Sequence, residues 1–338
     1  MAKLGMGLIG CGGMGAGLAQ AAAGLEAARM VCVTDPVTEK AAEVAAQLSC
    51  ERCPDMAALL ARDDVDGVIV AAPNHLHDSL TIQAVQAGKH VFCEKPMALT
   101  AARARAMIEA AAAASVKLMI GHVLRYVPTF AFIKELVDSG ELGEPFAMQT
   151  TRIGGGWSGG GYATSWRMSR ETCGGPLFEV SIHEIDFMRH VLGEAEWVSA
   201  AMGRHVVPDI DYEDTAALLI GFRGGREGQL LAGHSAHLGT YDGKLFLTKG
   251  TLYFTGWGPI RYKSESGEEQ SVEPDTLQYE PGVQREVREF VECVLNDTPP
   301  PIPGEEGLRN VEIAEAAFIA AAERRIVMLP LPSLTPGA

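Results

Sequence analysis

The sequence predicts a two-domain α/β chain, on three observations. Through residue 121, short apolar runs alternate with runs of helix-forming residues, the rhythm of a parallel sheet with crossover helices. Beyond residue 145 the rhythm stops, and strand signals follow one another directly. The length, 338 residues, exceeds one typical domain and suits two. The boundary is placed at Gly121, giving residues 1–121 and 122–338.

Residues 4–9 form the first apolar run, and Gly10-Cys11-Gly12-Gly13-Met14-Gly15 follows at once. Gly10 permits a tight turn, Gly12 lets the backbone approach a pyrophosphate, and Gly15 lets the next helix pack against the strand. Residues 16–23 are strong helix formers, so the amino terminus of a helix faces the phosphates. A second run, 30–33, leads to Asp35, 20 residues after Gly15. A carboxylate there accepts hydrogen bonds from the adenosine ribose hydroxyls. Pro36, Val37 and Thr38 follow without an arginine to hold a 2′-phosphate, which favours NAD over NADP. A lone glycine motif is weak; strand, loop, helix, strand and acid in register are specific.

The third run, 65–72, ends in Ala72-Pro73-Asn74-His75-Leu76-His77, and a helix over 79–87 follows with Gly88 as its cap. Asn74 and His77 thus stand in a strand-end loop within reach of a cofactor, although capping and turn chemistry account for Asn74 equally well. Residues 90–93 read as a buried strand that ends at Glu94-Lys95-Pro96, where proline stops it. Glu94 and Lys95 then occupy the carboxyl edge of the sheet, the ligand edge of open α/β folds. The plain alternative is a surface turn with solvated charges. An alanine-rich helix over 101–114 and a strand over 116–120 complete the first domain.

In the second domain, strand signals at 146–153, 215–222, 228–237, 244–248 and 251–255 fit a mostly antiparallel sheet, with a late amphipathic helix over 311–325. Residues 177–192 read as one helix. Glu179, His183 and Asp186 stand at i, i+4 and i+7 on it and share a face. A polar stripe on so apolar a helix faces water or a pocket; its spacing matches no standard zinc pattern, and no metal is expected. Before it, residues 154–170 interleave glycine with Trp157, Tyr162, Trp166 and Arg167, which reads as a mobile loop near a site or as a linker with aromatic anchors.

A net charge of −15 argues against nucleic acid and anionic membrane as partners. No apolar stretch spans a bilayer, and no secretory signal precedes the first strand. Seven scattered cysteines suit a reducing cytoplasm. The single CxxC, Cys50 to Cys53, has no second pair and reads as loop cysteines.

The strings GLIGCGGMG, AAPNHLHDSLTIQAVQAGKHVFCEKPMALT and GGPLFEVSIHEID resemble the Gfo/Idh/MocA oxidoreductase family, which includes inositol and glucose–fructose oxidoreductases. The resemblance covers nearly the whole chain. It implies an N-terminal Rossmann domain and a C-terminal α+β domain with a large, mostly antiparallel open sheet, whose exposed face pairs with its twin in a homodimer or homotetramer. It implies substrates that are cyclic polyols, sugars or sugar derivatives. Gly10, Cys11, Gly12, Gly13, Met14, Asp35, Ala72, Pro73, Asn74, His77, Glu94 and Lys95 then line the cofactor. Arg125, in a related GxxxRxxP segment, touches cofactor or substrate, or holds the crossover loop. Trp166 and Arg167 match a position that lines the nicotinamide or substrate pocket. His183 falls on the catalytic histidine and Glu179 on the carboxylate four residues before it. Glu179 stands where aspartate is common, and Ser181 where glycine is common.

Oxidation of a secondary alcohol follows from this assignment. His183 takes the hydroxyl proton, Glu179 orients the imidazole, and Lys95 favours the developing alkoxide. Two alternatives remain: an NAD-retaining catalyst, glycosidase or epimerase-like, that oxidises transiently, and a non-catalytic NAD-binding regulator. Intact Lys95, Glu179 and His183 argue against the second.

Overall fold

A computed structural model describes residues 3–154, 165–207 and 209–334 of the chain. Its elements run β1 Leu4–Ile9, α1 Gly13–Ala23, β2 Ala28–Thr34, α2 Thr38–Leu48, β3 Glu51–Arg52, α3 Met56–Leu60, β4 Gly67–Val70, α4 His77–Gln86, β5 His90–Glu94, α5 Ala101–Ala114 and β6 Leu118–Gly121. Then come α6 Pro128–Asp138, β7 Pro145–Ile153, α7 Arg170–Cys173, α8 Pro176–Glu179, α9 Ile182–Leu192, β8 Ala195–Gly203, β9 Thr215–Phe222, β10 Arg226–Gly233 and β11 Thr240–Leu247. The chain closes with β12 Gly250–Phe254, β13 Ile260–Ser264, β14 Gln270–Val272, α10 Gly282–Leu295, α11 Gly304–Glu323 and β15 Val327–Met328.

The chain divides into two units, Met1–Val123 with Glu280–Leu308, and Leu124–Tyr279 with Arg309–Ala338. The boundary read from the sequence is Gly121. Residues 280–308, read there as part of the second domain, belong to the first unit. Their helix α10 has one buried stripe, Val287, Phe290, Val291 and Cys293, and packs against α1 and β5.

In the first unit, six strands run parallel in the order β3-β2-β1-β4-β5-β6. β1 and β4 are buried along their whole length, as a sheet covered on both faces requires. The order reverses between β1 and β4, so the carboxyl ends of those strands open a crevice there. Asp55 and Thr100 cap α3 and α5 by accepting from the N–H groups of Ala58 and Arg103.

In the second unit, nine strands run in the order β14-β13-β12-β11-β7-β10-β9-β8-β15. All neighbours are antiparallel except β7 and β10. Buried and outward residues alternate along β9 and β10, which gives the sheet one covered and one open face. On the covered face α9 lies across β7 and β10, and α8 across β9 and β10. Phe130 of α6 anchors the core there, edge-on to Phe187 at 4.9 Å and to Phe254 at 5.7 Å.

The helix expected over 177–192 is interrupted. The Pro176 carbonyl accepts from both the Val180 and the Ser181 N–H, which widens the turn, and the helix restarts at Ile182. Glu179 therefore ends α8, while His183 and Asp186 belong to α9. Glu179 is thus out of helical register with His183 and Asp186, which stand three residues apart on α9.

Candidate active site

Each of the two units carries a cluster of the residues singled out from the sequence. In the first, β1 runs into the glycine turn. Gly10 has φ +99°, and a Cβ there would stand 2.5 Å from the Ala71 carbonyl oxygen. A Cβ on Gly15 would stand 2.0 Å from the Gly10 carbonyl oxygen, so only glycine lets α1 approach the strand. At Gly12 and Gly13 a Cβ would meet nothing within 4 Å. That open cradle at the start of α1 fits a pyrophosphate, and the helix amino terminus supplies N–H groups and dipole. Asp35 is fixed at both oxygens. Oδ2 accepts from the Cys11 N–H at 2.8 Å, and Oδ1 from the Val37 N–H at 2.8 Å. These bonds set the carboxylate at the end of β2, where its remaining lone pairs suit ribose hydroxyls. Cys11 is buried, and burial pushes its thiol up to about 12. It serves the site through its backbone; Met14 is exposed at the start of α1.

The next two strand ends are tied together by His77. Its Nδ1 lies 2.7 Å from the Pro96 carbonyl oxygen and its Nε2 2.7 Å from that of Ala72. The ring thus fastens the Ala72-Pro73-Asn74 loop to the Glu94-Lys95-Pro96 turn. Asn74 is buried in the same loop. Glu94 ends β5, and its Oε2 accepts from the Lys95 N–H at 3.1 Å. Lys95 therefore begins the turn at the carboxyl edge of the sheet.

In the second unit, Glu179 is buried, and its Oε1 accepts from Arg167 Nε at 2.6 Å. The Arg167 guanidinium stacks on Trp166, 4.1 Å from the ring centroid. This segment is held from behind: the Tyr212 hydroxyl donates to the Arg167 carbonyl at 2.8 Å, and Ser169 and the Arg170 N–H both donate to Asp211. Trp157 and Tyr162 lie outside the described residues, as does most of the glycine-rich segment. His183 is buried one turn beyond Glu179, at the restart of the helix. Ser181 between them is buried, and its hydroxyl has no hydrogen-bond partner among the described residues.

Asp186 is 0% exposed. Arg125 grips it with both arms, Nε at 2.8 Å and Nη2 at 2.6 Å, and Asn310 Nδ2 donates to it at 2.8 Å. Of the two roles weighed for Arg125, this geometry supplies the anchor: the guanidinium fixes the segment after Gly121 to α9.

Sequence reasoning missed the sheet residues opposite α8 and α9. Arg152 of β7 donates to Glu184 Oε1 at 2.8 Å, and the Tyr241 hydroxyl of β11 donates to the same oxygen at 2.9 Å. Gly228, Leu230 and Ala232 form the buried row of β10, and His234, 8% exposed, extends it past the strand end. Burial pushes this imidazole down to about 4; the nearby Glu179 charge opposes the shift and Arg152 adds to it. His234 is therefore neutral at ordinary pH. Period-two alternation through the 228–237 run carries the signal for this residue; Arg152 and Tyr241 come from strands 89 residues apart and carry none.

Among known proteins, the description "Oxidoreductase family, NAD-binding Rossmann fold" matches residues 4–122, and "Oxidoreductase family, C-terminal alpha/beta domain" matches residues 134–329. The inositol 2-dehydrogenase of Rhizobium meliloti (strain 1021) is 26% identical over 334 residues, covering 96% of this chain and 98% of that protein. The 2,7-anhydro-N-acetylneuraminate hydratase of Escherichia coli (strain K12) is 35% identical over 211 residues, 62% of this chain. The chain spans about half the length of that relative, 55%. Levoglucosan dehydrogenase in complex with NADH and levoglucosan shares the fold, with a TM-score of 0.89 at 24% identity over 98% of this chain and 100% of that one. With both of its halves matched, the chain belongs to the Gfo/Idh/MocA oxidoreductase family.

Proposed function

We propose that the protein oxidises a secondary alcohol of a cyclic polyol, sugar or sugar derivative to a ketone, with NAD as its cofactor. The observation that carries this reading is the open glycine cradle with its fixed Asp35 in the first unit; in the second unit Glu179 is buried against Arg167, and His183 and His234 are buried as well. Bound NAD supplies the acceptor for the hydride. The chain supplies the rest. His183 takes the hydroxyl proton, a task suited to an imidazole. Lys95 hydrogen-bonds the hydroxyl oxygen and favours alkoxide charge. Glu179 steadies the charge that forms on the imidazole. Arg167 and Arg152 each face a carboxylate, Glu179 and Glu184, so the substrate half is charge-balanced and suits an uncharged polyhydroxy ring. A screen of cyclitols and anhydrosugars for NADH absorbance tests this reading. Silence across the screen with NAD-loaded protein counts against it.

A second reading, net hydration with NAD retained, is favoured by the 35% identical relative that bears the name of a hydratase. Product formation without NADH release distinguishes it.

Asp35 is proposed to select NAD, because its fixed carboxylate repels a 2′-phosphate. Asp35→Ser combined with Pro36→Arg is expected to shift the NAD to NADP ratio of kcat/KM on the order of tenfold or more, the worth of one charge-assisted bond. Wild-type protein that uses NADP as well as NAD contradicts the assignment.

The open sheet face carries Phe146, Leu219 and Leu231, with Phe146 47% exposed, and Met328, 61% exposed, on the strand beyond. Such a face is covered by a second copy of the chain in this proposal, as a tetramer or a dimer. Light scattering at micromolar concentration is expected to give a multiple of 36.0 kDa; a stable monomer contradicts it. No helix among the described residues is long and apolar enough to cross a membrane. All seven cysteines are free thiols, which suits the cytoplasm proposed as its compartment.

A further inference from the structure

The connection from β8 to β9 forms neither helix nor strand in its described residues, 204–207 and 209–214. Main-chain N–H groups there have no ladder to join and need other acceptors. Asp214, 0% exposed, supplies them. Its carboxylate accepts from the N–H groups of His205 at 3.0 Å, Val206 at 2.6 Å and Val207 at 2.9 Å, and from the Thr215 hydroxyl at 3.1 Å. Burial pushes this carboxyl up, but the N–H groups of Val207, Val206 and His205 and the Thr215 hydroxyl outweigh it and hold the group below the usual carboxylate range. Asp214 is therefore an anion around which the start of the loop is wound.

The rest of the loop reaches the segment that carries Arg167. Arg204 Nη1 donates to the Ile210 carbonyl at 2.7 Å, which draws the two described parts of the loop together. Val207 packs against a buried cluster of Cys173, Ile210 and Tyr212, and Trp166 and Met168 pack on the same cluster. Tyr212 grips the Arg167 carbonyl, and Asp211 the Ser169 hydroxyl and the Arg170 N–H. The Asp211 N–H adds a bond to the Met168 carbonyl at 3.4 Å, and Arg170 pairs with Glu213. Asp214 also meets the end of β10. Its carbonyl accepts from the His234 N–H at 2.8 Å, and a Cβ on Gly233 would stand 2.1 Å from that carbonyl oxygen. The Arg167 segment and the His234 backbone are thus both tied to the loop that Asp214 folds.

We propose that Asp214 is a positioning residue for Arg167 and His234. By gathering the N–H groups of residues 205–207 it seats Val207 in the cluster and sets Tyr212 and Asp211 against the Arg167 segment. Arg167 in turn holds Glu179 through Nε. Hydrogen bonds to an ionised acceptor are the strong ones, and every step of this clamp lies within the second unit. Asparagine cannot replace the carboxylate, because its amide nitrogen accepts nothing and turns two hydrogens toward the N–H groups. The effect of Asp214 on substrate rests on the reading of Arg167 and Glu179 as substrate-facing groups; the clamp itself does not.

Two arms test it. Hydrogen exchange on the whole protein, read by mass spectrometry, follows the clamp without any substrate. In Asp214→Asn the stretches 203–207 and 168–172 are expected to exchange about tenfold faster or more, from the loss of charge-assisted bonds, with wild-type rates kept at β4 and β5. A 168–172 stretch that stays protected while 203–207 is freed overturns the link to Arg167. Faster exchange throughout the protein overturns it as well, since Asp214 then supports only the fold. In turnover of an alcohol from the cyclitol and anhydrosugar screen, Asp214→Asn is expected to raise KM for the alcohol about tenfold, with kcat within about threefold and KM for NAD unchanged. A lower kcat with wild-type KM is the mark of lost folded protein and overturns the positioning role. Tyr212→Phe removes only the hydroxyl on the Arg167 carbonyl and keeps a ring in the cluster. It is expected to raise the same KM about threefold or more, the net contribution of one hydrogen bond. Wild-type KM in Tyr212→Phe overturns the role even where Asp214→Asn does not fold. The expected exchange in a protein that oxidises no alcohol leaves the clamp standing and removes the functional reading instead.

Discussion

His183→Ala is expected to lower turnover by about two to four orders of magnitude, the usual worth of general acid–base catalysis. The residue is buried at the restart of the broken helix. Truncation removes the only histidine that the family motif marks as the base and leaves His234 too weak a base to replace it. The variant is expected to fold and to bind NAD as wild type does, because the glycine cradle and Asp35 are untouched. Lys95→Ala is expected to lose a similar amount, since one electrostatic partner of a developing oxyanion is worth about two to three orders of magnitude. Glu179→Gln is expected to be milder in kcat. Its effect on KM is expected to be larger, because Glu179 also holds Arg167. Stopped-flow hydride transfer with saturating cofactor measures all three. Near-normal turnover in His183→Ala removes it as the base.

Asp186→Ala is expected to destabilise the protein by about 3–5 kcal/mol, the cost of breaking one partner out of a buried ion pair. Its carboxylate meets Arg125 twice and Asn310 once, and the Arg125 side chain is itself only 9% exposed. Alanine removes the carboxylate that this buried guanidinium grips. Asn310 also accepts from Arg189, so the loss spreads into a second buried cation. Replacing both members, Arg125→Met with Asp186→Leu, is expected to recover most of the stability, because the pair stabilises little beyond what apolar packing would. Urea unfolding with and without the double substitution measures the difference. With three donors on its carboxylate, Asp186 ties α9 to Arg125 and Asn310.

Much of the first unit was legible because its signals are local and in register. Strand, glycine turn, helix, strand and acid fell within 35 residues, and the 101–114 helix formed over those residues. Glycines in the turn are dictated by close approach, which is visible as a motif. The return of α10 to the first unit was not legible, since periodicity marks a buried face but not the partner that buries it. Glu286 even blurs that face, being a charged residue type in an apolar stripe. The strands β8, β13 and β14 were missed because half-exposed strands carry weaker apolar runs. Helical spacing put Glu179, His183 and Asp186 on one continuous helix, and the Pro176 carbonyl, accepting from two N–H groups, breaks the register between Glu179 and the other two. Arg167 opposite Glu179, and Arg152 and Tyr241 opposite Glu184, are long-range pairs that no spacing rule reaches.

The most direct test of the account uses an alcohol deuterated at the carbon to be oxidised, given to the NAD-loaded protein with excess NAD, with the deuterium followed into the nicotinamide ring by mass spectrometry. The account predicts deuterated NADH released into solution, one for each ketone formed, over many turnovers. Product formation with the deuterium kept in the sugar, and no NADH released, would contradict it.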